Sequence, residues 1–158
     1  MAEGRRTAAC AAPRVVAIGA DHGGLGLKEE LRRYLEEWGY LNHDLNTSSH
    51  EAVDDPDFAE AVANAVARGE AWQGVVIDSA GIGSSVAANK IAGARAALCY
   101  HKRSVRNGRE HNDANVLSLG ARLIPAEVAR ETLVVWRGTD FAGGWTRFSP
   151  SSSGSPEE

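Results

Sequence analysis

The sequence predicts an α/β domain of the three-layer, doubly wound (Rossmann-like) kind, with five parallel strands and helices on both faces. Short β-branched apolar runs alternate with stretches whose apolar residues recur at helical spacing, which is the signature of a covered parallel sheet with right-handed crossovers. Polar, glycine-containing tips follow the runs, at Asp21-His22-Gly23-Gly24, at Asp78 to Gly83 and at Gly120-Ala121-Arg122. In such a sheet the strand tips form the ligand crevice. The 158 residues, 43% of them apolar and 24% charged, suit one domain with a sizeable core.

Each element has its own reason. Arg14 to Ala20 is a buried strand. Leu27, Leu31, Tyr34, Leu35 and Trp38 then line one side of an amphipathic helix, with Lys28, Glu29, Glu30, Arg32 and Glu36 between them and Gly39 as C-cap. Tyr40 to Leu45 is a weaker second strand, and the polar loop Asn46 to Asp55 leads to Pro56, a helix starter. Asp57 to Arg68 is a helix whose Phe58, Ala61, Val62, Ala65 and Val66 share a face, ended by Gly69. Trp72 to Ile77 is the third strand, Ser84 to Lys90 begins a helix, and Ala94 to Tyr100 is the fourth strand. A polar helix over His101 to Glu110, a strand over Asn115 to Leu119 and a helix over Pro125 to Trp136 complete the domain, 14–138. Residues 1–13 read as a disordered lead-in, and 139–158, rich in Gly, Ser and Pro, as an extended tail.

Composition excludes several functions. A formal net charge of −4 with no basic cluster argues against nucleic acid. No apolar stretch approaches the roughly 20 residues of a membrane span, and the start of the chain is too weakly apolar for a secretory signal. The two cysteines, Cys10 and Cys99, make no disulfide framework and fit a reducing cytoplasm. No Cys/His spacing resembles a structural zinc site and no run of acids suits a hard cation, so neither metal nor cofactor is expected. The absence of a Gly-x-Ser-x-Gly elbow removes support for a hydrolase triad. The first glycine turn lacks Gly-x-Gly-x-x-Gly, which disfavours a nucleotide module.

The chain is organised around Val75 to Lys90, where a strand stops at Asp78-Ser79 and two glycines, Gly81 and Gly83, lead into a helix. Glycines there let backbone approach a ligand, and the first helical N–H groups favour an anion. A packing turn explains the same residues equally well. Four segments then offer polar groups to what the sequence places at one edge of the sheet: Asp21 and His22; Asp78, Ser79 and the turn; His111-Asn112-Asp113; and Arg122. Taken singly, Asp21 could cap a helix, Asp113 could turn, and Arg122 could pair at the surface. His43, His50 and His101 read as solvated.

Three segments resemble the type B ribose-5-phosphate isomerases, a group that includes galactose-6-phosphate isomerase subunits: Ala-Asp-His-Gly-Gly at 20–24, Gly-Ile-Gly-x-Ser-x-Ala-Ala-Asn-Lys at 81–90, and Arg-Glu-His-Asn-Asp-Ala-Asn-Val-Leu at 109–117. The resemblance implies interconversion of aldose and ketose phosphates through a cis-enediol(ate), without metal, after the sugar ring is opened. His111 then resembles the ring-opening histidine and Asn112 a sugar-oxygen ligand. Asp21 resembles the carboxylate on the ring hydroxyls, and His22 and Arg122 resemble phosphate contacts. The amides of Ser79, Ala80, Gly81, Ile82, Gly83 and Ser84 resemble an anion hole for the enediolate. The family is homodimeric, with C-terminal residues reaching the partner's site; a dimer and a tetramer both fit the sequence.

Two departures stand out. Where many members carry a cysteine base this chain has Asp78, and the Gly-Thr that follows is Ser79-Ala80. Other members place a glutamate near the turn, where Ser84 and Ser85 stand here. Asp78 is therefore the expected base, with Cys99 in the core. Near the C-terminus, Gly143-Gly144 is followed by Trp145, leaving Arg147 as the nearby cation for the phosphate. These changes admit an isomerase for ribose 5-phosphate, an isomerase for a tetrose or hexose phosphate, or a sugar-phosphate-binding protein without turnover.

Overall fold

The computed structural model describes residues 12–46 and 56–143. The lead-in over 1–11, most of the 46–55 loop, and the tail from 144 onward with Trp145 and Arg147 lie outside them. Five strands, β1 (Val15–Ala20), β2 (Leu41–Asp44), β3 (Gln73–Asp78), β4 (Ala96–Leu98) and β5 (Val116–Gly120), form one sheet in the order β2-β1-β3-β5-β4. Every pairing is parallel. Helices α1 (Leu25–Glu37), α2 (Pro56–Ala67), α3 (Ile82–Asn89) and α4 (Lys102–Asn112) connect the strands, and α5 (Ala126–Gly138) follows β5.

Side-chain alternation along the strands divides the core in two. Val16 and Ile18 of β1, Val75 and Ile77 of β3, and Leu117 and Leu119 of β5 meet Leu31, Leu35, Leu133 and Trp136 on one face. Ala17, Val76 and Val116 meet Phe58, Val62, Ala87 and Ala88 of α2 and α3 on the other. At Gly74 a Cβ would stand 2.6 Å from the Val62 side chain, so a larger residue would push α2 off the sheet.

Two expectations need correction. β4 spans three residues rather than Ala94 to Tyr100, so Cys99 follows the strand instead of lying within it. The sheet edge at β4 is closed instead by a side chain: Asn89 accepts from the Ala96 N–H at 2.8 Å and donates to its carbonyl at 3.0 Å, as a neighbouring strand would.

Lys28, placed among polar-face residues by the helical spacing, is 4% exposed. Its ammonium donates to both oxygens of Asp44, at 2.8 and 3.0 Å, and to Asn46 Oδ1 at 3.2 Å. Asn46 in turn pairs with the N–H and carbonyl of Ala20, tying the ends of β1 and β2 together. Partial burial alone would push the Asp44 carboxyl up. The Lys28 hydrogen bond, the Asn46 N–H and the nearby Lys28 and Arg32 charges outweigh it, and hold the group below the usual carboxylate range.

Replacing Asp44 by Ala strands a buried ammonium and should cost about 3 kcal/mol in a denaturant melt at neutral pH. The folded-state value is lowered, so this contribution is complete above the ordinary carboxyl value of about 3.9 and disappears as pH falls through the lowered one. Wild type and Asp44→Ala should therefore converge in stability in strong acid.

Candidate active site

Backbone hydrogen bonds stitch the C-terminal ends of β1, β3 and β5 together. The Asp21 N–H donates to the Ile77 carbonyl at 3.0 Å, the Ala121 N–H to the Asp78 carbonyl at 2.8 Å, and the Arg122 N–H to the Ser79 carbonyl at 3.0 Å. The approach is close enough to require glycine. A Cβ at Gly24 would lie 2.7 Å from the Ile77 oxygen, and one at Gly120 would lie 2.6 Å from the Ala80 oxygen. The Ser79 hydroxyl sits against Gly23, where a Cβ would come within 2.9 Å of it. Asp21, His22, Asp78, Ser79 and Arg122 thus share one edge. His22 and Arg122 are exposed there, while one Asp21 oxygen caps the short 3-10 turn by accepting the Gly24 N–H at 2.9 Å.

Asp78 is the centre of this edge and is 7% exposed. One oxygen accepts the N–H groups of Ala80, at 2.9 Å, and Gly81; the other accepts the Ser84 N–H and the Ser84 hydroxyl, both at 2.9 Å. Gly81 makes this possible by taking φ +82°, in the left-handed region, which lets the chain double back before α3 begins. A buried carboxylate is tolerated only where such donors replace its water.

This modifies the expected anion hole. The amides of Ala80, Gly81 and Ser84 are spent on Asp78 and do not face a ligand. Those that remain at the start of α3 belong to Ile82 and Gly83, both exposed, at positions where a helix offers no acceptor of its own.

Two residues missed by the sequence reading complete the turn. Ser118, in the middle of β5 and fully buried, donates to the Gly81 carbonyl at 2.6 Å and lies 3.2 Å from the Ser84 hydroxyl. Tyr100 donates to the Ala80 carbonyl at 3.2 Å. The signal for Ser118 was available: it is the lone polar residue within Val116-Leu117-Ser118-Leu119.

His111 and Asn112 do not join this edge, contrary to expectation. They form the last turn of α4, which starts beyond the C-terminal end of β4 and runs back about 16 Å to the opposite end of the sheet. There Asp113 takes φ +48° as the α4 C-cap, and the next residues meet the sheet at its N-terminal edge through the Gly74 N–H bond to the Asn115 carbonyl. Arg95 holds Asp113 through its carbonyl, at 2.7 Å, and its carboxylate, at 3.2 Å. His111 is exposed, 3.9 Å from the Glu110 carboxylate, and Asn112 donates to Asn107 at 3.2 Å. A cavity of about 530 Å³ opens along β4, lined by Asn89, Leu98, Ser104, Asn107 and Asn112 among others, and includes none of the residues around Asp78.

Cys99 is a free, buried thiol, and burial pushes it up to about 11 despite a hydrogen bond with Ser104. A thiol raised in this way keeps its proton at neutral pH, which does not suit a base or nucleophile. Iodoacetamide at neutral pH should leave turnover of the native protein within about twofold of untreated, because a neutral buried thiol alkylates slowly. Rapid inactivation that Cys99→Ala prevents would contradict this.

Three comparisons bear on the whole domain. The sequence profile of the family described as Ribose/Galactose Isomerase matches residues 16–149. Ribose-5-phosphate isomerase B of Escherichia coli K12 is 43% identical over 129 residues, covering 82% of this chain and 87% of the relative. D-erythrulose-4-phosphate isomerase of Pectobacterium atrosepticum is 36% identical over 130 residues, covering 82% and 86%. The solved structure of Clostridium thermocellum ribose-5-phosphate isomerase B superposes with a TM-score of 0.79 at 45% identity, covering 82% of this chain and 88% of that one. With its all-parallel sheet, its strand-tip turn and a family match across nearly the whole domain, the chain belongs to the ribose/galactose isomerase family of sugar-phosphate isomerases.

Proposed function

We propose that the chain interconverts ribose 5-phosphate and ribulose 5-phosphate, in a site that two copies build together. The observation that carries the chemistry is Asp78, a carboxylate fixed at the tip of β3 beside the first turn of α3. Isomerisation is internally balanced, since oxidation at C2 accompanies reduction at C1. It needs a proton carrier and a stabilised oxyanion. His111 gives a proton to the ring oxygen as the anomeric hydroxyl loses its own, which releases the open-chain aldehyde. Asp78 takes the C2 proton, the electron pair forms the C1–C2 double bond, and negative charge develops on the C1 oxygen. The Ile82 and Gly83 amides meet that charge, an interaction worth several kcal/mol when the donors are preorganised. Proton exchange between the two oxygens and return of the carried proton to C1 yield the ketose. Asp21 and Asn112 hold sugar hydroxyls, and His22, Arg122 and Arg147 hold the phosphate.

The separation of His111 and Asn112 from Asp78 supports a shared site. Residues at opposite ends of one sheet meet only if a second protomer, related by a two-fold axis, brings its α4 terminus to the first protomer's β3 tip. A homodimer then carries two equivalent sites, each drawing on both chains. The free thiol at Cys99 and the cysteine count support a cytoplasmic setting. A second reading, isomerisation of a shorter phosphosugar, is favoured by the likeness to the Pectobacterium tetrose-phosphate enzyme.

Proton exchange followed by NMR in D2O, across tetrose, pentose and hexose phosphates, tests both. Deuterium should enter C1 or C2 of ribose 5-phosphate fastest; faster exchange with erythrulose 4-phosphate would favour the second reading. Binding of a sugar phosphate without any exchange would reduce the protein to a binder. Asp78→Asn should lower kcat by about a thousandfold with sugar-phosphate affinity retained, since only the proton carrier is lost.

The shared site has its own test. Asp78→Asn and His111→Ala should each be inactive on cyclic substrate, yet co-refolded together they should regain about a quarter of wild-type turnover, because mixed dimers hold one intact site. No regain in dimers shown to be mixed would place both residues in one chain's site.

A further inference from the structure

We propose that Ser118, acting through Ser84, is the positioning residue that keeps Asp78 correctly placed in both protonation states of its proton shuttle. The inference rests on Asp78 being the base and follows from counting protons. A serine hydroxyl has one proton to donate and two lone pairs to offer. Ser118 spends its proton on the Gly81 carbonyl at 2.6 Å, so its lone pairs remain. While Asp78 is ionised it only accepts, and Ser84 gives it the hydroxyl proton at 2.9 Å. The 3.2 Å contact between the Ser84 and Ser118 oxygens then has no proton between them.

The balance changes once Asp78 has taken the C2 proton. The neutral acid can then donate to the Ser84 oxygen across the same 2.9 Å, while Ser84 turns its own proton 3.2 Å toward the Ser118 oxygen, which is already fixed by Gly81. Both serines are fully buried, where an unsatisfied hydroxyl is costly, so the alternative acceptor matters. Without Ser118, Ser84 would have only the long 3.5 Å contact to the Gly81 carbonyl to fall back on. A base that collects a proton from one carbon and delivers it to the next must hold its place in both states, and these two hydroxyls supply a partner for each. A Cβ at Gly83 would meet only the Asp78 Oδ2, at 3.6 Å.

The test is steady-state kinetics with ribose 5-phosphate on Ser84→Ala, Ser118→Ala, the double variant and Asp78→Asn, with thermal melts alongside. Ser84→Ala and Ser118→Ala should each lower kcat about ten- to a hundredfold with KM within about twofold, the scale of a lost hydrogen bond to a charged group. The double variant should be little worse than either single one, since both act through the same carboxylate. Full kcat in Ser118→Ala, with Asp78→Asn inactive, would overturn the inference and leave the base assignment standing. Near-normal turnover in Asp78→Asn would overturn the base assignment and the inference with it. A fall in melting temperature and a rise in KM without a specific loss of kcat would show a merely structural role and also overturn it. If Ser118→Ala does not fold, Ser118→Cys, close in volume but a weak hydrogen-bonding group, takes its place, and full kcat in that variant would overturn the inference.

Discussion

The structure depends on one buried carboxylate. Asp78 closes β3, and its two oxygens gather three backbone N–H groups and a hydroxyl from the six residues that follow. An uncompensated charge there would cost several kcal/mol, so the chain from Ala80 to Ser84 has to wrap around it. That wrapping sets the left-handed Gly81, the direction of α3 and the exposure of Ile82 and Gly83. It also fixes what the tips of β1 and β5 can touch, because the Ala80 carbonyl stands where any side chain at Gly120 would go. The site's shape is a consequence of satisfying a charge, before any ligand arrives.

A second device recurs around the sheet. Three asparagines each use both ends of the amide to pair with main chain at a strand terminus: Asn46 with Ala20, Asn89 with Ala96, and Asn115 with the Arg95 N–H and the Gly93 carbonyl. An amide offers one acceptor and two donors, so it imitates a neighbouring strand where the real one has ended. Two of these residues lie in the segments that carry the family likeness, Ala-Ala-Asn-Lys and His-Asn-Asp-Ala-Asn. Their geometry assigns Asn89 and Asn115 to architecture, whereas His111 and Asn112 in the same segments stand exposed or half-exposed and available.

The fold was legible because apolar period and glycine punctuation act locally; every strand and helix appears within a few residues of its expected place. The edge membership of the site residues was less so. Asp21, Asp78 and Arg122 follow strands, and the sheet's polarity settles their side. His111 precedes a strand, and the same polarity sends it to the far side, although one-dimensional reading grouped it with the others. Lys28 was misplaced because helical periodicity scores a lysine as polar, whereas its long stem lets the ammonium reach Asp44 beneath the helix. The donors around Asp78 were invisible for another reason. Sequence names the glycines, but only the folded turn shows that the amides expected for a ligand are shared with a side chain.

That sharing bears on how the family's chemistry is distributed in this chain. Members resembling it place a cysteine at the strand tip or a glutamate near the start of the following helix. Here the strand supplies the acid and the helix supplies a hydroxyl, Ser84, bonded to it at 2.9 Å. The two positions are thus in contact. With the acid on the strand, three N–H groups of the turn and the helix start are drawn onto it. Ser84 adds its hydroxyl to those amides, and Ser118 holds the Gly81 carbonyl at 2.6 Å. With the acid on β3, sheet geometry holds it in place, and the exposed amides of Ile82 and Gly83 are the ones not drawn onto it.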